Sequence, residues 1–113
     1  MKSSLQSNRI LHLTLKAKPF EVMLKGEKRI EFRQPSKWLL SRLAPTKNYE
    51  LIKFVNGYGN DKPFFIAKYL GWEFHNEKST TQEYSNGLRV DIEKGIIKIS
   101  IGEIAESGNL NNK

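Results

Sequence analysis

Between Ile97 and Ile101 the chain alternates, with Ile97, Ile99 and Ile101 on one side and Lys98 and Ser100 on the other. Successive side chains of a strand point to opposite faces, so this pattern builds a half-buried strand and excludes an amphipathic helix. Leu11, Leu13 and Leu15 alternate in the same way with His12 and Thr14. Further strands are predicted over Lys28 to Phe32, Tyr49 to Val55, Phe64 to Phe74, Leu88 to Ile92 and Ile96 to Ile104. Turns fall at Asn56 to Asp61 and Glu93 to Gly95, and His75 to Gln82 reads as a polar connection. Two short helices interrupt the strands. Pro19 opens the first, with Phe20, Met23 and Leu24 on one face, and Gly26 stops it. Ser36 caps the second, Lys37 to Leu43, which ends at Ala44-Pro45.

These elements predict an α+β fold that is mostly β. It is a small barrel of five to six mainly antiparallel strands, with two short helices before the third strand. The chain has 113 residues, of which 38% are hydrophobic, enough for one small core. Residues 9–104 are expected to form the folded unit, with flexible ends at 1–8 and 105–113, where little can be buried.

Composition excludes several chemistries. The chain has no cysteine, so disulfides, thiolate metal sites and a cysteine nucleophile are ruled out. Its two histidines, His12 and His75, have no partners within sequence reach and read as structural. No metal or other cofactor is expected. No apolar run approaches the ~20 residues of a membrane span, and no secretory leader is apparent, so the expectation is a cytoplasmic monomer away from membranes.

Charge is more informative. Nineteen Lys and Arg against twelve Asp and Glu give +7. Residues 1–60 carry twelve basic and four acidic side chains, a balance of +8; residues 61–113 carry seven and eight, a balance of −1. A positive field concentrated in one half attracts polyanions, which makes RNA or a nucleotide the first partner to consider. A merely solubilising surface is the plain alternative.

The densest segment is Leu24-Lys25-Gly26-Glu27-Lys28-Arg29-Ile30-Glu31-Phe32-Arg33. Period two pairs Ile30 with Phe32 as core anchors and puts Glu31 and Arg33 together on the other face. Lys28 points with Ile30 unless it projects from the turn, where it would join Glu31 and Arg33 at the rim of a cavity. The competing reading is a surface ion pair between Glu31 and Arg33, worth at most ~1 kcal/mol.

At these residues the sequence resembles a known family. Gly26-x-Lys28-x-x-Glu31-x-Arg33 matches the G-x-K-x-x-E-x-R signature of ASCH domains, the activating signal cointegrator homology group of the PUA-like superfamily. The helix before the motif and the strands after it follow the same order. The resemblance implies a β-barrel with a cleft lined by the motif and a role in RNA binding or RNA-linked chemistry. Some small ASCH proteins are amidohydrolases of an acetylated cytidine, and others are described as ribonucleases. The amidohydrolase type is built on a lysine, a threonine nucleophile and a glutamate. Lys28 takes the lysine's place, but Glu31 stands where the threonine would be and has no hydroxyl.

Two main readings follow. In the first, the protein is a binding module: Lys28, Glu31 and Arg33 line a cleft for a nucleoside or an RNA base, and Tyr58, in a glycine-flanked turn, stacks on the ring. Lys25, Arg29, Lys37 and Arg42 then hold phosphates. Trp38 and Trp72 read as core residues, and Tyr84 is a weaker stacking candidate. In the second, the protein is a hydrolase in which Lys28 and Glu31 are catalytic, with Glu73, Glu77 or Glu83 as a second carboxylate. Binding is favoured over catalysis because no nucleophile or metal set can be named, while the charge asymmetry is plain. A protein-interaction module using the basic face on an acidic partner is a third option. On the binding reading, Glu31→Gln weakens ligand binding and changes stability little.

Overall fold

The computed structural model describes residues 9–45 and 47–111; the predicted flexible segment 1–8 lies outside them. The element order is β1 (Ile10–Leu15), α1 (Ala17–Leu24), β2 (Ile30–Arg33), α2 (Lys37–Arg42), β3 (Leu51–Asn56), β4 (Phe64–Phe74), β5 (Thr80–Glu83), β6 (Arg89–Ile92) and β7 (Ile97–Gly108). Both helices precede β3, as the sequence predicts. Five strands form one sheet in the order β1-β3-β4-β7-β2, and β5 and β6 form a separate hairpin.

All pairings are antiparallel except β1 with β3, which run parallel from Ile10↔Leu51 to Leu15↔Asn56. A parallel pair cannot be joined by a tight turn. The chain between them makes α1, crosses to the far edge of the sheet as β2, and returns through α2. The pairing of β4 with β7 shifts register between Ile66 and Ala67, between Ala67 and Tyr69, and between Tyr69 and Trp72. Such irregularities bend and twist a strand pair. The sheet curls into a half-barrel, with β1 and β2 as its edges.

One apolar cluster fills the concave side. Leu11, Leu13 and Leu15 of β1 face Ile52 and Phe54 of β3, Phe65 and Ala67 of β4, and Ile97, Ile99 and Ile101 of β7. Helix α1 adds Phe20 and Met23, and Leu39 and Leu43 come from α2 and its end. Phe65 stands 5.3 Å, centroid to centroid, from both Phe20 and Phe54. Tilted rings at that spacing are a favourable arrangement. The Ser36 hydroxyl accepts from the Leu39 amide at 3.0 Å, the expected cap.

Four local expectations need correction. Helix α1 starts at Ala17, two residues before Pro19. A proline is tolerated within the first turn because amides there have no intrahelical acceptor. Thr80–Glu83 is a strand within a stretch read partly as a polar connection. All four of its side chains are exposed, so it carries no alternation to read. The hairpin it forms with β6 is tied back to the body at its tip. The Glu27 carboxylate accepts from the Ser85 amide at 2.8 Å and hydroxyl at 2.7 Å, and Asn86 Nδ2 donates to Lys18 O and Glu21 Oε1. Third, β7 runs on through Gly108, so 105–108 are not a loose tail. Glu106, Ser107 and Gly108 pair with Ile66, Phe65 and Phe64. That pairing rests on backbone groups, with exposed side chains that give no apolar signal. Fourth, no strand pairing joins β1 to β2 among the described residues, so the barrel is half closed.

A Cβ at Gly108 would meet the Phe64 ring at 2.6 Å. Gly108→Ala is therefore expected to cost about 1–3 kcal/mol in urea denaturation, while the exposed Ser107→Ala stays within about 0.5 kcal/mol. Equal, negligible effects would mean that this end of β7 is not ordered.

Candidate ligand cleft

Helix α1 ends in a turn at Gly26, whose φ of 85° suits a residue without a Cβ. The amides of Glu27 and Lys28 then both donate to the Val22 carbonyl. This turn brings the Lys28 ammonium to Glu31 before β2 begins, but buried rather than at the rim of a cavity. Lys28 is 2% exposed and Glu31 6%. Ile30 and Phe32 are only half-buried. The burial of β2 thus departs from the expected one: the charged Glu31 is buried, while the supposed anchors are only half-buried, with the Phe32 ring 5.2 Å from the Lys28 ammonium.

Inside, every charge is matched. The Lys28 ammonium donates to the Ile30 carbonyl at 2.5 Å and to Glu31 Oε1 at 3.2 Å, and lies 3.7 Å from Met23 Sδ. An ammonium has three N–H groups, so Lys28 is saturated. Arg33 Nε donates to Glu31 Oε2 at 2.6 Å, and its terminal nitrogen donates to the Thr14 carbonyl at 2.5 Å. Arg33 therefore reaches from the edge strand β2 to the opposite edge, β1. Burial pushes the Lys28 pKa down; the Glu31 carboxylate opposes that shift, and Arg33 adds to it.

Over this ion chain lies a cleft of about 610 Å³ lined by Glu31, Arg33, Thr14, Lys16, Asn56 and Tyr58, together with Leu15, Ala17, Pro19 and Gly57. Three of the four predicted ligand residues, Glu31, Arg33 and Tyr58, meet there. Lys28 is not in the wall; it holds Glu31 from behind. Tyr58 is 85% exposed, between Gly57 and Gly59, both at positive φ. Glu31 retains acceptor capacity, since a carboxylate offers about four lone-pair directions and two are used. Arg33 has five N–H groups, and two are engaged. Its side chain is 27% exposed.

The remaining predicted residues lie elsewhere. Lys25 and Arg29 border a second cleft with Gly26 and Glu103. Lys37 and Arg42 are exposed on α2, which contributes no wall residue to either cleft. Glu73 pairs with Lys98 at 3.5 Å and Glu83 with Arg89 at 3.5 Å; neither they nor Glu77 line the Glu31 cleft. Trp72 is half-buried, donating to the Leu43 carbonyl at 3.3 Å, but Trp38, read as a core residue, is 51% exposed. On a helix this short, Leu39 alone is buried. His12 faces outward, whereas His75 is buried with Nε2 3.0 Å from the Lys78 carbonyl. Tyr84 donates to Gln82 on the hairpin.

Thr14, Lys16 and Asn56 went unnoticed in the sequence. Thr14 alternates with buried leucines and Asn56 ends a strand, but neither pattern marks a site without the sheet's curl. Among the described residues no His, Asp and Glu group of three or more is arranged to hold a metal, and no helix is long and apolar enough to cross a membrane. No family model, curated protein or solved structure matches the chain.

The burial of Lys28 reverses the expectation that Glu31→Gln would be mild. Removing one partner of a buried pair strands the other charge, so this substitution is expected to cost about 3 kcal/mol in urea denaturation. Lys28→Met in the same background recovers part of it. The lowered Lys28 pKa also sets a pH dependence. Below the ordinary lysine value and above its folded one, the unfolded chain binds more protons, so the Lys28 contribution to stability rises with pH. Stability of Lys28→Met measured across the alkaline range should lack that rise.

Proposed function

We propose that the protein is an ASCH-type binding module whose cleft at Glu31, Arg33 and Tyr58 takes a nucleoside or an unstacked base of RNA. The observation that carries this reading is the convergence of three side chains, from two separate segments of the chain, on one cleft. Each supplies a different part of nucleotide recognition. The unused lone pairs of Glu31 accept from exocyclic amino or ring N–H groups. The open face of Tyr58 stacks on a base. Arg33 and Lys16 provide cations for a phosphate, beside the first turn of α1, which carries no side-chain cap.

The hydrolase reading has less support. The three ammonium protons of Lys28 point at Ile30, Glu31 and Met23, and the residue lies behind the cleft wall. Its role on the binding reading is to position Glu31.

Calorimetric titration with a panel of unmodified and modified nucleosides and their monophosphates tests this, with product analysis by chromatography to detect any turnover. Binding without turnover is expected. Tyr58→Ala should weaken it about tenfold, in line with ~1–3 kcal/mol for a stacked base, without lowering stability, because the ring is exposed. Unchanged affinity in Tyr58→Ala, or no binding across the panel, overturns the assignment, and release of a cleaved nucleoside establishes the hydrolase instead.

A further inference from the structure

Helix α2 exposes a combination that the cleft does not use. Trp38 has half its surface in solvent, and Leu40, two residues further along the helix, is 38% exposed. The Arg42 guanidinium sits 5.1 Å from the Trp38 ring centroid, one helical turn on. Lys37 precedes the tryptophan and is also exposed. From Phe32 to Tyr49 the sequence holds Arg33, Lys37, Arg42 and Lys47 and not one acidic residue. The rest of the helix is anchored. Leu39 and Leu43 are in the core, the Ser36 hydroxyl caps the start, and the Tyr49 hydroxyl donates to the Arg42 carbonyl at 2.7 Å. A large aromatic ring is therefore held outward on an anchored helix, with the Arg42 guanidinium against it and Lys37 next to it in the chain.

We infer that Trp38, with Lys37 and Arg42, is a second contact for single-stranded RNA, a stacking platform outside the cleft. This inference rests on the nucleoside-binding reading of the cleft and extends it to the partner's length. Aromatic faces with cations alongside grip single strands without reading sequence, because every base has a face to stack and every nucleotide a phosphate to pair. An apolar partner face would suit Trp38 and Leu40 but gains nothing from Lys37, Arg42 and Lys47, exposed cations in a span with no acid. Trp38 follows Arg33 by five residues, so their Cα atoms lie within roughly 17 Å. At roughly 3.4 Å per stacked nucleotide, that span corresponds to no more than about five nucleotides. A strand with one base in the cleft thus meets Trp38 once it is about six nucleotides long.

The test compares a nucleoside monophosphate with RNA oligonucleotides of two and eight nucleotides, on the full chain, by fluorescence anisotropy and by quenching of tryptophan emission. The octamer is expected to bind at least tenfold more tightly than the dinucleotide and to quench emission. Trp38→Ala should remove that gain and the quenching while leaving monophosphate affinity unchanged. Lys37→Ala with Arg42→Ala should flatten the salt dependence of octamer binding by roughly 1.4 in the log–log slope, at ~0.7 per phosphate contact. Monophosphate binding with no gain for the octamer, or a gain that survives Trp38→Ala, overturns the platform and leaves the cleft reading intact. Loss of monophosphate binding itself overturns the cleft reading. Trp38-dependent self-association seen by analytical ultracentrifugation, with no octamer quenching, assigns the patch to a second copy of the chain and likewise overturns the platform.

Discussion

A chain of charges, two of them buried, holds this half-barrel together where its strands do not. Lys28, Glu31 and Arg33 run from beneath α1 to the carbonyl of Thr14, linking the two sheet edges through side chains. Such an arrangement is expensive to desolvate and tolerates no missing member, because each group depends on the next for its compensating charge. It gives the edge carbonyl of β1 a partner and fixes the Arg33 fork in one orientation. The cleft wall is thus positioned by the same bonds that close the fold, and altering either disturbs the other.

That dependence explains why Gly26 matters as much as the charged residues. Only a chain that turns back at the end of α1 can send Lys28 inward while β2 starts two residues later. The paired donation of the Glu27 and Lys28 amides to the Val22 carbonyl fastens the turn, and the Ile101 amide donates to the Arg29 carbonyl just beyond it. Backbone geometry places the ammonium, and the ammonium places the carboxylate.

The sequence showed the elements with regular period and missed those whose order comes from elsewhere. The limits of Phe64–Phe74 and the cap at Ser36 are both legible in the sequence. Hydrophobicity rules give the interior of β2 to Ile30 and Phe32; Glu31 is buried instead because Lys28 and Arg33, three and two residues away, neutralise it, and the turn at Gly26 that brings Lys28 to it is invisible to those rules. Thr80–Glu83 and the end of β7 are held by backbone pairing under polar side chains and leave no apolar trace. Residue type alone puts Trp38 in the core, yet Leu39 and Leu43 occupy the inner side of α2 and leave it the outer one. Of the cleft, Glu31, Arg33 and Tyr58 are legible in the sequence, since unusual charge density and a glycine-flanked aromatic are local features. Thr14, Lys16 and Asn56 join only through the curl of the sheet.

The seam between β1 and β2 has a mechanical side. Each of these strands has one strand neighbour, and an edge held on one side opens more readily than a strand held on both. Thr14 and Arg33 belong to opposite lips of the seam, and both face the same cleft. A molecule lodged there would span the gap like a splint, so occupancy and resistance to local opening become one equilibrium. Amide exchange along Ile10–Leu15 and Ile30–Arg33 would then slow together when the cleft is filled, with the hairpin of β5 and β6 exchanging as before.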